Sequence, residues 1–185
     1  MSHPELATLR TFVAYVEDQP GVLNRIASLF RRRAYNIISL NVGRTHEAGI
    51  SRMTFSVQAD GDTAKRIEAN LYKLVNVLSV QDITPEAAVV RDLALIKVRV
   101  EPERRSEVLQ LCEVFRARVV DLSAETLIAE ISGNQEKIDG LVKILQPFGI
   151  LEMVQTGAIA MTRGLEGRAS HTAHKSFPPG KIAAA

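Results

Sequence analysis

The stretch that decides the fold runs from Glu17 to Leu40 and reads EDQPGVLNRIASLFRRRAYNIISL. It contains the end of a strand, a helix that opens on Pro-Gly, and a second strand that opens on Asn36. Pro20 predicts that the helix begins at about residue 20, because its fixed φ and missing N–H suit the first helical position. Gly21 has no Cβ, so a ligand can reach the free first-turn N–H groups, where the helix dipole is positive. The stretch therefore predicts a corner that favours a carboxylate or a phosphate.

Two polar side chains flank this corner. Asp18 can accept from the first-turn N–H groups as an N-cap, or can receive the ammonium group of a ligand whose carboxylate lies at Gly21. Asn36 offers both a donor and an acceptor. Together these groups match a free amino acid. Chemistry alone leaves a second interpretation open, in which Asp18 is an ordinary cap, Pro20-Gly21 is an ordinary helix start and Asn36 is a turn residue.

The run of three arginines at the other end of the predicted helix, Arg31 to Arg33, also has two interpretations. Cations are favoured at a helix C-terminus by the dipole, so solvated capping is one role. Contact with a phosphate or with a partner is the alternative.

Hydrophobic periodicity predicts the rest of the first unit outward from this stretch. The run from Leu9 to Val16 is almost wholly apolar, which is typical of a strand covered by helices. The helix after Pro20 carries an apolar stripe, formed by Val22, Leu23, Ile26, Ala27 and Phe30. Two half-buried strands then alternate, with inward positions at Ile38, Leu40, Val42, Met53, Phe55, Val57 and Ala59. The short loop from Thr45 to Gly49 joins them as a hairpin.

The first unit ends with a second helix and a fourth strand. Asp60-Gly61-Asp62 turns the chain into the helix, whose apolar side is formed by Ala64, Ile67, Leu71 and Leu74. The fourth strand is predicted from Val77 to Ile83. The predicted order is therefore strand, helix, strand, strand, helix, strand.

The same order recurs after a polar break. The predicted elements are a strand from Ala94 to Val100, a helix from about Pro102 to Ala117, short strands at Val119–Leu122 and Leu127–Ile131, a helix around 138–145 and a last strand from Ile150 to Met161. The start of the first of these helices reads Glu101-Pro102-Glu103-Arg104, which lacks the glycine and places a carboxylate where an anion would be repelled. We predict that the second unit supports pairing or docking and has no ligand corner.

Composition limits the function classes. The 185 residues are 46% hydrophobic and 24% charged, with a formal net charge of +2, which predicts a globular chain without the basic excess of a nucleic-acid-binding protein. One cysteine allows no internal disulfide, and Cys112 falls on an apolar helical face, which predicts a buried thiol. With no signal segment or membrane-length apolar run, the cytoplasm is the expected location.

The sequence offers no set of catalytic residues and no metal site. Phosphate loops, dinucleotide fingerprints, clustered metal ligands and Ser-His-Asp sets cannot be assembled from it. Small acyl phosphatases share the predicted order of elements, but Asp18 stands in the first loop where they need an anion-binding Arg. RNA binding on an open sheet face needs exposed aromatic residues, and aromatic residues make up 5% of the chain, with Phe55 in the predicted core.

The stretch VEDQPGVLNRIASLFRRRAYNIISLNVGRT, followed by SRMTFSV, resembles the start of the acetolactate synthase small subunit, also called the acetohydroxyacid synthase regulatory subunit. That family opens with an ACT domain, whose pattern maps onto Asp18, Pro20, Gly21, Tyr35, Asn36 and Ile37. The chain departs from the pattern at Ala34, where the family usually has Gly, and at Ile38, where it usually has Glu. Neither departure touches the proposed ligand contacts directly.

The resemblance implies an α+β chain of two ferredoxin-like βαββαβ domains. With the polar break at 85–92 and the loss of apolar period beyond Gly164, rich in Gly, Ser, Pro and Ala, the predicted limits are an ACT domain at 1–84, a linker at 85–92, a C-terminal small-subunit domain at 93–163 and a disordered tail at 164–185. The resemblance also implies a homodimer that binds an effector amino acid, valine first, between two ACT domains. The residues assigned to this effector site are Asp18, Gln19, Pro20, Gly21, Val22, Leu23, Asn36 and Ile37.

The implied role is regulatory and non-catalytic. The resemblance implies that the chain activates a catalytic large subunit and confers feedback inhibition by branched-chain amino acids in valine, leucine and isoleucine biosynthesis. The large subunit, and not this chain, is expected to carry thiamine diphosphate, magnesium and FAD. The alternative is a stand-alone ACT-domain amino-acid sensor that regulates another enzyme or a transcription factor.

Overall fold

A computed structural model describes residues 7–164 of the chain. Within that range the chain forms two compact units, one made of residues 7–88 with 162–164 and the other of Val89–Met161. The predicted tail lies outside the described residues, apart from Gly164.

The first unit has the predicted order of elements. They are β1 (Thr8–Glu17), α1 (Val22–Arg32), β2 (Ile37–Arg44), β3 (Ile50–Ala59), α2 (Gly61–Leu71) and β4 (Val77–Asp82). The four strands form one antiparallel sheet in the order β2-β3-β1-β4, so that β1 and β3 are central and β2 and β4 lie at the edges.

An aromatic cluster fills the core of the first unit. Phe12 of β1 lies opposite Phe55 of β3, and their stacked rings have centroids 5.2 Å apart. Phe30 of α1 meets Phe55 edge-on at 5.3 Å. All three side chains are at most 2% exposed. The alternating apolar residues of the central strands thus face the apolar stripe of α1. The strand period of two residues and the helix period of 3.6 residues place these side chains in one shared core.

Two inward positions predicted on β2 differ from the structure, because Ile38 is exposed and Val42, on this edge strand, is 45% exposed. Leu40 and Val42 pair with core residues of β3, as the alternation predicts, but the register shifts between Ile37 and Ser39. Ile38 is the extra residue of this irregularity and is 52% exposed, while Ile37 packs against the core in its place. A bulge adds one residue to a strand and reverses the side on which the preceding side chains lie.

The second unit repeats the order with additional short elements. They are β5 (Ala88–Arg99), a 3-10 turn (Pro102–Arg104), α3 (Arg105–Val114), β6 (Arg118–Leu122), β7 (Thr126–Gly133), α4 (Gln135–Leu145), a second 3-10 turn (Gln146–Phe148), β8 (Ile150–Gln155) and β9 (Ile159–Thr162). The sheet order is β6-β7-β5-β8, and β9 also pairs with β5. The core is aliphatic, and Cys112 is buried in it, 1% exposed, so the buried-thiol prediction is confirmed. Burial also raises the pKa of this thiol.

Three predicted boundaries in this half of the chain differ from the structure. The single last strand is divided into β8 and β9, because the chain turns at Thr156 and at Gly157, which has a φ of 83°. The helix predicted from Pro102 begins as a 3-10 turn and becomes α-helical at Arg105. Strand β5 begins at Ala88, inside the stretch 85–92 predicted as linker. The domain limits of 1–84 and 93–163 stay a prediction.

The first helix of each unit ends in the same backbone motif. After α1, the N–H of Tyr35 bonds to the carbonyl of Phe30, and that of Ala34 bonds to Arg31. After α3, the corresponding bonds join Ala117 to Cys112 and Arg116 to Glu113. This is the Schellman arrangement, which requires a left-handed residue that is usually glycine. Here Ala34 and Arg116 occupy it, with φ of 55° and 51°.

Candidate functional site

The predicted corner lies between β1 and α1, and a tight turn forms it. The N–H of Val22 bonds to the carbonyl of Gln19 at 3.4 Å, with Pro20 and Gly21 at the two central positions. Gly21 has φ 84° and ψ −7°, as the third residue of a type II turn requires. Pro20 therefore belongs to the turn, and its predicted place as the first helical residue is wrong: α1 begins at Val22 with Gly21 as its N-cap.

The first turn of α1 has no side-chain cap. Of the two roles considered for Asp18, that of N-cap is absent from the structure, and its carboxylate lies instead 3.5 Å from Nε of Arg44. The backbone N–H of Asp18 bonds to the carbonyl of Gly49, which fixes the chain just before the turn. Within residues 7–164, the N–H groups of Leu23 and Asn24 have no hydrogen-bond partner. The positive end of the helix thus carries free donors.

The space in front of this turn is open. A Cβ built on Gly21 would meet no atom within 4 Å, and Asp18, Gln19, Pro20 and Gly21 are all exposed. Leu23 is 47% exposed, whereas Val22 is buried and anchors the helix in the core. A ligand carboxylate can therefore approach the free amides with an apolar side chain beside it.

Two arginines near the corner were not identified from the sequence. Arg44, at the end of β2, faces Asp18 across the hairpin end. Arg25, one turn into α1, donates to the side-chain oxygen of Asn76, and the Asn76 amide donates to Glu17 at 2.6 Å. Asn76 is 7% exposed, so this bridge ties the end of β1 to the start of α1. No local pattern indicates these contacts, because Asn76 is 59 residues from Glu17.

Asn36 and Ile37 lie at the opposite end of α1 from the corner. The helix has 11 residues, which corresponds to about 16 Å at 1.5 Å per residue. Asn36 is exposed, while Ile37 is half-buried against the core. One chain therefore brings Asp18 to Leu23 together and leaves Asn36 and Ile37 apart from them.

The start of the corresponding helix in the second unit is held by protein contacts. Arg104 lies over the ring of Phe148, with 4.1 Å from Cζ to the ring centroid, and pairs with Glu107 at 3.1 Å. Arg105 donates to the carbonyls of Ser123 and Ala124. The described residues at this position form a 3-10 turn without a glycine, and the absence of a ligand corner from this unit stays a prediction.

Comparison with known families assigns both halves of the chain. Residues 12–79 match a model described as the AHAS small subunit-like ACT domain, and residues 91–164 match one described as the small subunit of acetolactate synthase. The chain belongs to the acetolactate synthase small-subunit family. The corner from Asp18 to Leu23 and the Asn36-Ile37 pair both lie inside the region matched by the ACT-domain model.

Relatives of this family align along most of their length. A probable acetolactate synthase small subunit of Archaeoglobus fulgidus is 42% identical over 83% of this chain and 96% of its own. The acetolactate synthase small subunit of Mycobacterium leprae is 45% identical over 85% of this chain and 93% of its own. The crystal structure of the small subunit from Thermotoga maritima superposes with a TM-score of 0.80 at 38% identity, covering 85% of this chain and 98% of that one.

These findings confirm the family resemblance and the α+β fold with two ferredoxin-like domains. As an acetolactate synthase small subunit, the chain is a regulatory, non-catalytic subunit in branched-chain amino acid biosynthesis. This identity implies a catalytic large subunit as its partner. In the part of the chain that the structure describes, no group of three or more His, Cys, Asp or Glu residues could hold a metal ion. Nor does that part contain a helix long and apolar enough to cross a membrane.

Proposed function

We propose that this small subunit raises the activity of the catalytic large subunit and transmits feedback inhibition by a branched-chain amino acid, with valine as the first candidate. The observation that supports the proposal is the uncapped first turn of α1 behind the exposed Gly21. Free amides at the positive end of a helix favour a carboxylate, and the absence of a Cβ leaves the approach open.

The groups around the turn suit the rest of an amino acid. The carboxylate would accept from the N–H groups of Leu23 and Asn24, and the ammonium group would lie against Asp18. The contact between Asp18 and Arg44 is weak, because the Arg44 side chain is 88% exposed. An ammonium group can therefore replace it at little cost. The exposed side chain of Leu23 offers apolar surface to a branched aliphatic ligand.

The contribution of Asn36 and Ile37 requires a second copy of the chain. Strand β2 is an edge strand of its sheet, and Ile38 and Val42 on it are 52% and 45% exposed. An edge strand can pair with the edge of another copy. In the proposed homodimer, Gln19, Pro20, Gly21 and Val22 of one copy form the turn that holds the ligand, and Asn36 and Ile37 come from the other copy.

Inhibition would act as a population shift. An amino acid that binds the less activating arrangement of the complex more tightly moves the complex toward it, with a coupling of roughly 1–3 kcal/mol. The thiamine diphosphate, magnesium and FAD are assigned to the large subunit. The small subunit would therefore act only through its interface with the large subunit. The cytoplasmic location stays a prediction.

Calorimetric titration with valine, leucine and isoleucine tests the site, with three variants beside the native chain. Gly21→Asp adds a negative charge where the ligand carboxylate should lie, so we expect binding to be lost. Gly21→Ala is the matched control, because it adds the same Cβ and the same left-handed strain without a charge, and it should bind more tightly than Gly21→Asp. Asp18→Asn removes the partner of the ammonium group and should weaken binding at least about tenfold.

Activity of the reconstituted enzyme completes the test. Gly21→Asp should remain an activator of the large subunit while its inhibition by valine disappears. Equal inhibition of the native and Gly21→Asp enzymes would contradict the site. Saturable binding without any effect on the large subunit would instead support the stand-alone sensor.

A further inference from the structure

A concave surface in the first unit lies at the opposite end of α1 from Gly21. It is formed where the C-terminal ends of α1 and α2 come together, and it encloses about 460 Å³. We call it the basic groove, and its lining residues are Leu29, Arg32, Arg33, Asn70, Lys73 and Leu74. Its volume is in the range of small-molecule sites.

The polar side chains of the basic groove offer almost only hydrogen-bond donors. The side chains of Arg32 and Arg33 make no hydrogen bond or ion pair with any residue from 7 to 164. Lys73 donates to the side-chain oxygen of Asn70 at 3.3 Å, which uses the one side-chain acceptor among the lining residues. Asn70 is 8% exposed, and the nitrogen of its side-chain amide has no hydrogen-bond partner in the described range. A ligand that fits the basic groove must supply hydrogen-bond acceptors.

Capping of the helix ends does not account for these cations. At the end of α1, the carbonyls of Leu29, Phe30 and Arg31 already accept from backbone N–H groups of residues 33–35. At the end of α2, the carbonyls of Asn70 and Leu71 accept from the N–H groups of Lys73 and Leu74. These five carbonyls therefore do not need the arginine side chains as hydrogen-bond partners. Three cationic side chains line one concavity whose lining contains no carboxylate, so the local potential of the groove favours an anion.

We propose that the basic groove binds a small molecule that carries phosphate groups. Phosphate is an acceptor-only group, and guanidinium groups bind it through paired N–H bonds. A single phosphate would leave most of the 460 Å³ empty, and Leu29 and Leu74 provide an apolar floor. The groove therefore suits a diphosphate or a phosphate ester with an apolar or planar body. This site is separate from the amino-acid corner, so it does not depend on the proposed function.

Titration of the full chain with inorganic pyrophosphate tests the groove. We expect saturable binding that weakens at least about tenfold in Arg32→Gln and in Arg33→Gln, because each removes a charge-assisted contact. Arg31→Gln is the matched control, since it removes the same charge from the same run at a residue that does not line the groove. It should change the affinity little. Asn70→Asp keeps the shape of the side chain and places a carboxylate in the groove, so it should abolish binding.

The outcomes separate the proposal from its alternatives. No pyrophosphate binding by the folded native chain would overturn it. An equal loss of affinity in Arg31→Gln and Arg32→Gln would also overturn it, because the effect would then be general charge attraction. Binding of an acidic peptide in place of pyrophosphate would overturn the small-molecule assignment and identify a protein partner.

Discussion

The two units of the chain have the same order of strands and helices, but their first helices begin differently. In the first unit a type II turn with Gly21 leads into α1 and leaves its amides free. In the second unit a 3-10 turn at Pro102–Arg104 leads into α3, and Arg104 covers the ring of Phe148. The two helices nevertheless end in the same Schellman bonds. The repeated fold thus maintains the strand and helix order, while the turn that leads into the first helix differs between the units.

Core substitutions test the largest difference between the units, which is an aromatic core against an aliphatic one. Phe55→Ala should lower the free energy of unfolding by about 3–5 kcal/mol, because it removes contacts with Phe12 and Phe30 and leaves a cavity. Leu127→Ala, at an equally buried position of β7, should cost about 2–5 kcal/mol. Urea denaturation followed by circular dichroism measures both. A much smaller loss at Phe55 than at Leu127 would contradict the central role of the aromatic cluster.

Glycine substitution at the shared helix ends should stabilise both units. Relief of the left-handed strain at Ala34 or Arg116 is worth about 1–2 kcal/mol and exceeds the added unfolded-state entropy of about 0.4–1 kcal/mol. We expect Ala34→Gly and Arg116→Gly each to gain roughly 0.5–1 kcal/mol. Ala27→Gly is the control and should cost about 1 kcal/mol, because Ala27, predicted on the apolar stripe of α1, is exposed in the structure. Destabilisation by both glycine substitutions at the helix ends would show that the native residues are not strained.

The different helix starts can be tested at Arg104. Arg104→Ala removes the contact with Phe148 and the pair with Glu107, and should cost about 0.5–1 kcal/mol, because the site is partly exposed. Arg104→Lys keeps the charge and should recover part of that loss. Thermal unfolding of the three proteins measures the difference. No change in Arg104→Ala would mean that the contacts of Arg104 contribute nothing to the stability of this helix start.

The second helices of the units differ in whether their caps titrate. Asp60 accepts from the N–H of Thr63 at 2.7 Å, which lowers the pKa of its carboxyl, whereas Asn134 caps α4 without a titrating group. Because the folded-state pKa lies below the unfolded value of 3.8, the contribution of Asp60 is present above that value and is lost as pH falls through the folded-state pKa. Melting temperatures from roughly pH 6 to pH 2 should fall less in Asp60→Asn, which keeps a capping oxygen. An identical decline in both proteins would show that the Asp60 cap contributes nothing.

Periodicity was sufficient to predict the order of elements, because each strand or helix of this fold has one apolar face. The same reasoning placed Ile38 in the core, since an apolar residue in phase with Leu40 does not reveal a bulge. Pro20-Gly21 is compatible both with a helix start and with a type II turn, and only the positive φ of Gly21 decides between them. Thr156-Gly157 lay within an apolar stretch, so the break between β8 and β9 was missed.

The candidate site could be predicted only in part. The local segment around Gly21 was found because its chemistry lies in consecutive residues. Arg25 and Arg44 were missed, since their contacts with Asn76 and Asp18 arise from tertiary folding. Conversely, sequence patterns could not show that the cations of α1 share a concavity with Lys73, because that depends on how the ends of two helices meet.

The burial of Cys112 makes the chain suitable for selective chemical labelling. It is the chain's one cysteine, it is 1% exposed, and its raised pKa keeps it as the unreactive thiol. A cysteine introduced at an exposed position such as Leu23 would therefore react with a maleimide dye in the folded protein while Cys112 does not. A fluorophore can thus be placed beside the free amides of α1 without first removing a native thiol, and a change in its emission on addition of an amino acid would test whether the corner binds one.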